Sequence, residues 1–152
     1  MKVSLNRASR GRPRWLDAAW SRRIARAGAL LAPKAATVNV VIVDDAEIRR
    51  LNRRFRGKDK ATDVLSFSYI EDGDTGGDGV AGDVYVSHQT LARDARRLGV
   101  EARDLSTRIV VHGLLHIIGY DHETDADAAR MERRERAVLA RVLPAGVVRG
   151  LF

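Results

Sequence analysis

The sequence contains no cysteine among its 152 residues. Disulfide scaffolds, zinc sites built on thiolates, iron–sulfur clusters and cysteine nucleophiles are therefore excluded. A chain of this length buries roughly two thirds of the surface that its unfolded form exposes, so it needs neither a disulfide nor a metal ion merely to fold. No repeat or Ser/Pro-rich linker divides the chain, and we expect one domain over residues 1–152.

Long hydrophobic runs are also absent. The longest apolar stretch, residues 109–118, is interrupted by two histidines and is far shorter than the ~20 residues of a membrane helix. Residues 1–15 carry positive charge but no apolar segment before a cleavage site, so they do not resemble a secretory signal. The sequence therefore predicts a soluble, cytoplasmic protein without a membrane partner.

The positive charge is concentrated in the first part of the chain. Residues 1–60 contain 16 Lys and Arg against 5 Asp and Glu, a net of +11, whereas residues 61–152 contain 11 against 15, a net of −4; together these give the total of +7. The densest run, residues 49–60, has seven basic residues and one acid, Asp59. Such a stripe is typical of polyanion binding, although an ordinary solvated face would look the same.

Hydrophobic periodicity predicts an α+β protein with a small mixed four-stranded sheet and about five helices. The strands are expected at residues 1–6, 38–43, 62–69 and 82–87. The helices are expected from Leu16 to near Pro33, from Asp45 to Gly57, and over residues 88–98, 102–118 and 124–142. The Asp/Gly-rich residues 71–81 fit the liganding pattern of a calcium loop poorly, because strands flank them, and a flexible hairpin connection is the better interpretation.

Three of the four histidines lie within eleven residues, in the sequence HGLLHIIGYDH. His112 and His116 are four apart, so their rings leave the same face of a helix. Gly119 can end that helix in a left-handed conformation, which lets His122 return toward the first two rings. Three neutral nitrogen donors suit one Zn²⁺ with a fourth position for water, and nickel, copper or cobalt would also fit. The alternative, satisfied core histidines, explains one such residue better than three. The fourth histidine, His88, is expected on the surface.

The histidine spacing equals that of the long zinc-protease motif H-E-x-x-H-x-x-G-x-x-H. However, Gly113 occupies the position of the glutamate that serves a peptidase as general base. Hydrolysis of peptides or small esters is therefore disfavoured, and no other residue stands out as a general base. Asp121, beside His122, either accepts a ring proton as an outer-shell partner of the metal site or caps the turn.

The motif HGLLHIIGYDH resembles the H-G-x-L-H-x-x-G-Y-D-H signature of the YbeY family, bacterial rRNA maturation factors described as metal-dependent endoribonucleases. The resemblance extends to LNRRFRGKDKATDVLSF (51–67), to GDVYVS (82–87) and to the acidic stretch that leads to Met131 and Glu132. These blocks follow the family's order and span about residues 38–140. The departures are minor, with Ala61 in place of a common proline.

The resemblance implies a zincin-like α+β fold with His112, His116 and His122 as zinc ligands and Arg56 as a functionally important arginine. It implies endonucleolytic action on single-stranded RNA in 16S rRNA 3′-end maturation and ribosome quality control, with the ribosome and small-subunit ribosomal proteins as partners. The basic residues near Arg56 that we expect to contact RNA are Arg53, Arg54, Lys58 and Lys60. Asp63 and Ser66 either line the cleft or order their strand. A ribosome-assembly factor with mainly structural zinc remains an alternative.

Overall fold

The computed structural model describes residues 1–8, 11–32, 36–70 and 79–152. The strands in these ranges are β1 (Lys2–Arg7), β2 (Thr37–Val43), β3 (Val64–Ser68) and β4 (Val80–Ser87). The helices are α1 (Ala18–Ala29), α2 (Asp45–Arg56), α3 (His88–Leu98), α4 (Ala102–Ile117), α5 (Asp125–Leu139) and α6 (Ala145–Gly150). No helix in these ranges is long and apolar enough to cross a membrane.

The four strands form one mixed sheet in the order β1-β2-β4-β3. β1, β2 and β4 run parallel, whereas β3 pairs antiparallel with β4 and forms one edge of the sheet. The β-branched residues of β2 suit this central position, because Val38, Val40 and Ile42 are fully buried on one face. The predicted α+β class, with its small mixed four-stranded sheet, is confirmed.

Helix α4 lies at the centre of the molecule. It packs on β3 and β4 on one side and contacts α1, α3 and α5 on the others, which explains why its sequence is apolar almost all the way round. Gly113 allows the close approach to the sheet, because a Cβ atom at this position would lie 2.6 Å from Val84 Cγ1 and 3.1 Å from Ser66 Oγ. The helix that carries two histidines is therefore held rigidly by its surroundings.

Helix α2 covers part of the opposite face of the sheet. Ile48 and Leu51 pack there with Val43 and Leu65 in a second, smaller hydrophobic cluster. The side chain of Asp44 accepts a hydrogen bond from the Glu47 backbone N–H and begins the helix, and Gly57, with φ of 68°, ends it in the left-handed conformation. Both ends of α2 agree with the limits that the sequence predicts.

Several boundaries differ from the predictions. Helix α1 begins two residues after Leu16, because the Asp17 side chain caps it by accepting from the Trp20 backbone N–H. Helix α5 ends at Leu139 instead of residue 142, and the short α6 after Pro144 was not predicted. The Asp/Gly-rich residues 71–78 and Pro33 lie outside the described residues, so the calcium and hairpin-loop interpretations are not addressed by the structure.

Candidate metal centre and its cleft

Two of the three clustered histidines leave α4 one turn apart and face each other. The Nε2 atoms of His112 and His116 are 3.1 Å apart. Gly119 adopts φ of 95° directly after the helix and reverses the chain, as its position in the motif predicted. The returning segment brings the His122 ring to 4.9 Å from that of His116 and 5.7 Å from that of His112, measured between ring centroids.

The donor atoms of the three rings fit one metal ion. One ligand atom from each of His112, His116 and His122 lies within 4.8 Å of the others. Nitrogen ligands at about 2.05 Å from a tetrahedral zinc ion are about 3.3 Å apart, close to the separation of the two Nε2 atoms on α4. The triad could therefore hold a metal ion. Imidazole donors alone do not distinguish zinc from nickel, cobalt or copper.

The environment of His116 favours the neutral form that a metal requires. Burial, together with the neighbouring rings of His112 and His122, lowers the pKa of His116 below its ordinary value. Its Nδ1 lies 2.9 Å from the backbone oxygen of Tyr120, so a proton on Nδ1 donates to that carbonyl. The lone pair of Nε2 then remains available for a metal.

A buried carboxylate on α5 contacts the other α4 histidine. Glu135, of which only 3% is exposed, places Oε2 3.4 Å from Nδ1 of His112 and accepts a hydrogen bond of 2.8 Å at Oε1 from Nε of Arg108. Burial opposes ionisation, but the hydrogen bonds from His112 and Arg108 outweigh it and lower the pKa of Glu135. The carboxylate is therefore charged at neutral pH.

Sequence reasoning missed Glu135, although a signal was present. It lies one turn after Met131 and one turn before Leu139, two apolar residues with which it shares the buried face of α5. A charged residue on a buried helix face requires a partner. Arg108 is that partner, and it also donates a hydrogen bond to the backbone oxygen of Leu151.

Asp121 makes a hydrogen bond to the backbone of the turn. Its Oδ1 accepts a hydrogen bond of 2.7 Å from the backbone N–H of His122, which corresponds to the turn-capping alternative. Its predicted role as an outer-shell partner of the metal site stays a prediction.

A cleft of about 820 Å³ runs between the histidine triad and the end of α2. The residues that line it include His112, His116 and His122 together with Arg56, Lys58 and Lys60. The structure thus brings together cationic residues and histidines that are more than 50 positions apart in sequence. Arg53 and Arg54, also predicted to contact RNA, are exposed on α2 but do not line this cleft.

Arg56 lies at the rim of the cleft, next to the edge strand β3. One of its terminal nitrogens, Nη2, donates a hydrogen bond of 2.9 Å to the Ser66 backbone oxygen. Its guanidinium carbon lies 5.4 Å from the centroid of the Phe67 ring. These contacts orient the guanidinium while its remaining N–H groups make no hydrogen bond to the described part of the chain. Those groups can bind an anion in the cleft.

Asn52 holds the loop that carries the two lysines of the cleft. This residue is 3% exposed, and its Nδ2 donates to the Lys60 backbone oxygen at 2.9 Å. Its own backbone oxygen accepts a hydrogen bond from the Lys58 N–H. Sequence reasoning did not anticipate this role of Asn52.

The sequence left open whether Asp63 and Ser66 line the cleft or order their strand, and the structure shows contacts of both kinds. Asp63 and Ser66 line the cleft. Asp63 Oδ1 also accepts from the Val64 backbone N–H, and Ser66 Oγ donates to the Gly113 backbone oxygen at 3.3 Å.

His88 differs from its expected surface position, because its ring is half-buried and its Nε2 is buried without a hydrogen-bond partner among the described residues.

Comparison with known proteins now adds to this geometry. The family model described as Endoribonuclease YbeY matches residues 15–143. The chain belongs to the YbeY endoribonuclease family. The match extends further toward the N-terminus than the YbeY motifs noted in the sequence and includes every predicted site residue.

Individual members of the YbeY family show the same relationship. The chain is 48% identical over 115 residues to Endoribonuclease YbeY of Moorella thermoacetica, covering 70% of this chain and 73% of that protein. It is 42% identical over 144 residues to Endoribonuclease YbeY of Novosphingobium aromaticivorans, covering 84% and 86%. The solution structure of TM1509 from Thermotoga maritima is similar with a TM-score of 0.64, 26% identity and coverage of 92% and 88%. The expected family and fold are thus confirmed.

Proposed function

We propose that this chain is a metal-dependent endoribonuclease that cleaves single-stranded RNA. We further propose that it acts in 16S rRNA 3′-end maturation and ribosome quality control in the cytoplasm, with the ribosome and small-subunit ribosomal proteins as partners, and that residues 1–152 form one catalytic domain. The observation that carries the proposal is a single cleft lined both by three convergent imidazoles and by Arg56, Lys58 and Lys60.

The donor set fits one Zn²⁺, which His112, His116 and His122 would hold. Bound there, the ion would supply Lewis-acid chemistry, which at sites with neutral ligands lowers the pKa of coordinated water to about 7 and polarises phosphoryl oxygens. The protein's own part is to keep both α4 rings in the tautomer with a free Nε2. The Tyr120 carbonyl does this for His116, and the Glu135 carboxylate for His112.

Arg56 is proposed as the residue that contacts the phosphodiester. Its free N–H groups are suited to the non-bridging oxygens, whose negative charge increases in the transition state. The hydrogen bond to Ser66 orients the guanidinium beforehand, so less rotamer freedom is lost when the substrate binds. Lys58 and Lys60 would hold phosphates further along the strand, and Arg53 and Arg54 would attract RNA from outside the cleft.

The structure gives a physical reason against a peptidase. A glutamate at position 113 would have its Cβ atom 2.6 Å from Val84 Cγ1, a separation that the tightly packed helix and sheet do not allow. The position where a peptidase carries its general base is therefore used for packing. The remaining alternative is a ribosome-assembly factor with mainly structural zinc, which would bind RNA without cleaving it.

Cleavage of a defined single-stranded fragment of 16S rRNA by highly purified protein tests the proposal. We expect His116→Ala to abolish cleavage and Arg56→Ala to lower its rate by about 10²- to 10³-fold, as for loss of one oriented donor in other enzymes. Arg50→Ala is the matched control, because Arg50 is an exposed arginine on the same helix that is paired with Glu47. Cleavage that continues unchanged in His116→Ala would overturn the proposal, and RNA binding without cleavage by the wild type would favour the assembly factor.

A further inference from the structure

An exposed phenylalanine lies within the basic run, beside the edge of the sheet. Phe55 is 54% exposed, although it follows Leu51 by one helical turn on the face of α2 that packs on the sheet. Its ring contacts Phe67 of β3 edge-on, with centroids 5.3 Å apart, and Phe67 contacts Tyr85 in the same way at 5.9 Å. The Phe55 ring thus packs against Phe67, while part of it faces solvent.

Two guanidinium groups accompany these rings. The guanidinium carbon of Arg54 lies 5.1 Å from the Phe55 centroid, and that of Arg56 lies 5.4 Å from the Phe67 centroid. We call Phe55, Phe67, Arg54 and Arg56 the aromatic strip. Arg56 also lines the cleft and bonds to the Ser66 backbone, so the aromatic strip is continuous with the cleft across the edge strand β3.

Exposure alone does not make this surface unusual, and Leu98 provides the comparison. Leu98 is also 54% exposed and follows two arginines on α3, but it is aliphatic and lies outside the cleft lining. Phe55 differs in having a flat π-face, an edge-on aromatic support and an adjoining phosphate-binding wall. Aromatic faces with neighbouring cations are the common platform on which proteins stack the bases of single-stranded nucleic acids.

The charges around the aromatic strip are complementary to a polyanion. Within the basic run, Arg49 pairs with Asp59 and Arg50 pairs with Glu47. The other five cations form no salt bridge with any residue that the structure describes: Arg53, Arg54, Arg56, Lys58 and Lys60. Glu47 and Asp59 are thus each paired with an arginine, which leaves the five other cations of the run available to an anion. This charge, together with the exposed ring, favours RNA over an acidic protein segment, since a base also offers a stacking surface.

We propose that the aromatic strip is a base-stacking subsite for single-stranded RNA, in which a nucleotide outside the cleft stacks on Phe55. The proposal rests on the endoribonuclease function proposed above and extends it. The RNA passes from the cleft beside Arg56, crosses the edge of β3 and places one base on the Phe55 ring, with Arg54 beside that base or its phosphate. RNA long enough to reach the strip therefore binds more tightly than RNA confined to the cleft.

Fluorescence anisotropy with labelled, unstructured single-stranded RNAs of about 16 and about 4 nucleotides tests this subsite. We expect Phe55→Ala to weaken binding of the long RNA about tenfold, within the range for one stacked base, and to change binding of the short RNA less than twofold. Phe55→Trp keeps the aromatic face and should retain the affinity, whereas Phe55→Leu keeps only apolar character and should behave like alanine. Leu98→Ala is the matched control and should match the wild type.

A single abasic nucleotide moved along the long RNA locates the stacked base. In the wild type, one position outside the cleft should show the same loss of affinity as Phe55→Ala, and combining the two changes should add nothing. Wild-type affinity of Phe55→Ala for the long RNA would overturn the subsite, and so would a loss that is equal for both RNA lengths.

The failure of this subsite and that of the proposed function are separable. If the wild type cleaves RNA but Phe55→Ala binds and cleaves long RNA normally, only the subsite is wrong. If the wild type binds RNA but does not cleave it, the nuclease proposal fails, while the binding data still decide the role of Phe55.

Discussion

Glu135 is a charged side chain almost without solvent contact, and its surroundings explain why it is ionised. Removing a carboxylate from water is costly unless donors replace the lost hydration. Arg108 supplies a charged donor at one oxygen, and His112 supplies a ring N–H at the other. The consequence is a carboxylate–imidazole pair that fixes the tautomer of a candidate metal ligand, an arrangement that raises the affinity of histidine sites for metal.

We therefore expect Glu135→Gln to weaken zinc binding by about 10- to 100-fold, because the neutral amide holds the His112 N–H less strongly. Competition with a chromophoric chelator measures this affinity without reference to catalysis. Glu132→Gln is the control on the same helix, since Glu132 is exposed and pairs with Arg136. Equal zinc affinity of Glu135→Gln and the wild type would show that the carboxylate has only a structural role.

At the scale of elements, the position of α4 on the sheet is set by a glycine. Alanine within a helix is ordinarily more stable than glycine by about 1 kcal/mol. At Gly113 the added Cβ atom would lie 2.6 Å from Val84 Cγ1, and overpacking of this kind costs typically about 1–3 kcal/mol plus local rearrangement. The packing cost exceeds the gain in helix propensity.

Gly113→Ala is accordingly expected to lower the free energy of unfolding by up to about 2 kcal/mol. Urea denaturation measures the change. Gly150→Ala is the control, because no atom lies within 4 Å of a Cβ atom added there, and it should not destabilise the protein. In a Val84→Ala background, which removes the atom that the added Cβ would meet, Gly113→Ala should lower the free energy of unfolding less than it does in the wild type. Strictly additive changes in the free energy of unfolding would contradict a direct contact.

At the scale of the whole molecule, the charge is distributed unevenly between the two parts of the sequence, yet both parts meet at the cleft. The basic end of α2 with its following loop and the histidine motif of the acidic part both line this cleft. RNA that binds the basic residues releases counterions from its backbone, so its affinity should fall steeply with salt.

Replacing Arg53, Arg54, Lys58 and Lys60 by serine should reduce the slope of log Kd against log salt concentration by up to about 0.7 for each phosphate that the variant no longer neutralises. Titration of labelled single-stranded RNA at several salt concentrations gives this slope. The control replaces Arg49 and Asp59 together, which removes an existing ion pair and no net charge. A slope that the fourfold variant leaves unchanged would exclude these residues as phosphate ligands.

The main hydrophobic cluster includes residues of β2 and β4 and of helices α1, α3, α4 and α5, and none of the three histidines of the triad belongs to it. His122 is exposed, and the other two histidines are only half-buried, so loss of an ion leaves little unsatisfied polar surface in the interior. We expect chelation with EDTA to lower Tm by about 5–10 °C without abolishing the fold. This shift corresponds to the loss of a ligand that was present at about a hundredfold its Kd. Thermal melts followed by circular dichroism test this, with His116→Ala as a control that should not respond to EDTA. Complete unfolding of the wild type by EDTA would contradict the expectation.

The features that could be predicted from the sequence are those that depend on neighbours along the chain. The four-residue spacing of His112 and His116, the reversal at Gly119 and the limits of α2 follow from helical geometry and from the conformations available to glycine. The YbeY motifs also allowed the family to be predicted from the sequence, because the blocks have a characteristic order and spacing. The absence of cysteine left histidine as the most suitable residue for a transition-metal site.

Contacts between distant segments could not be predicted in this way. Hydrophobic periodicity shows which face of α5 is buried, but not that Glu135 on that face meets Arg108 and His112, nor that Phe55 stays exposed beside β3 while its helix packs on the sheet. The sequence by itself determined the elements and the convergence of the histidines, because these follow from local backbone geometry. That Arg56 and the triad line one cleft, and that α4 lies too close to Val84 for a side chain at position 113, depends on how α2 and α4 pack on the sheet, and this packing joins segments far apart in sequence.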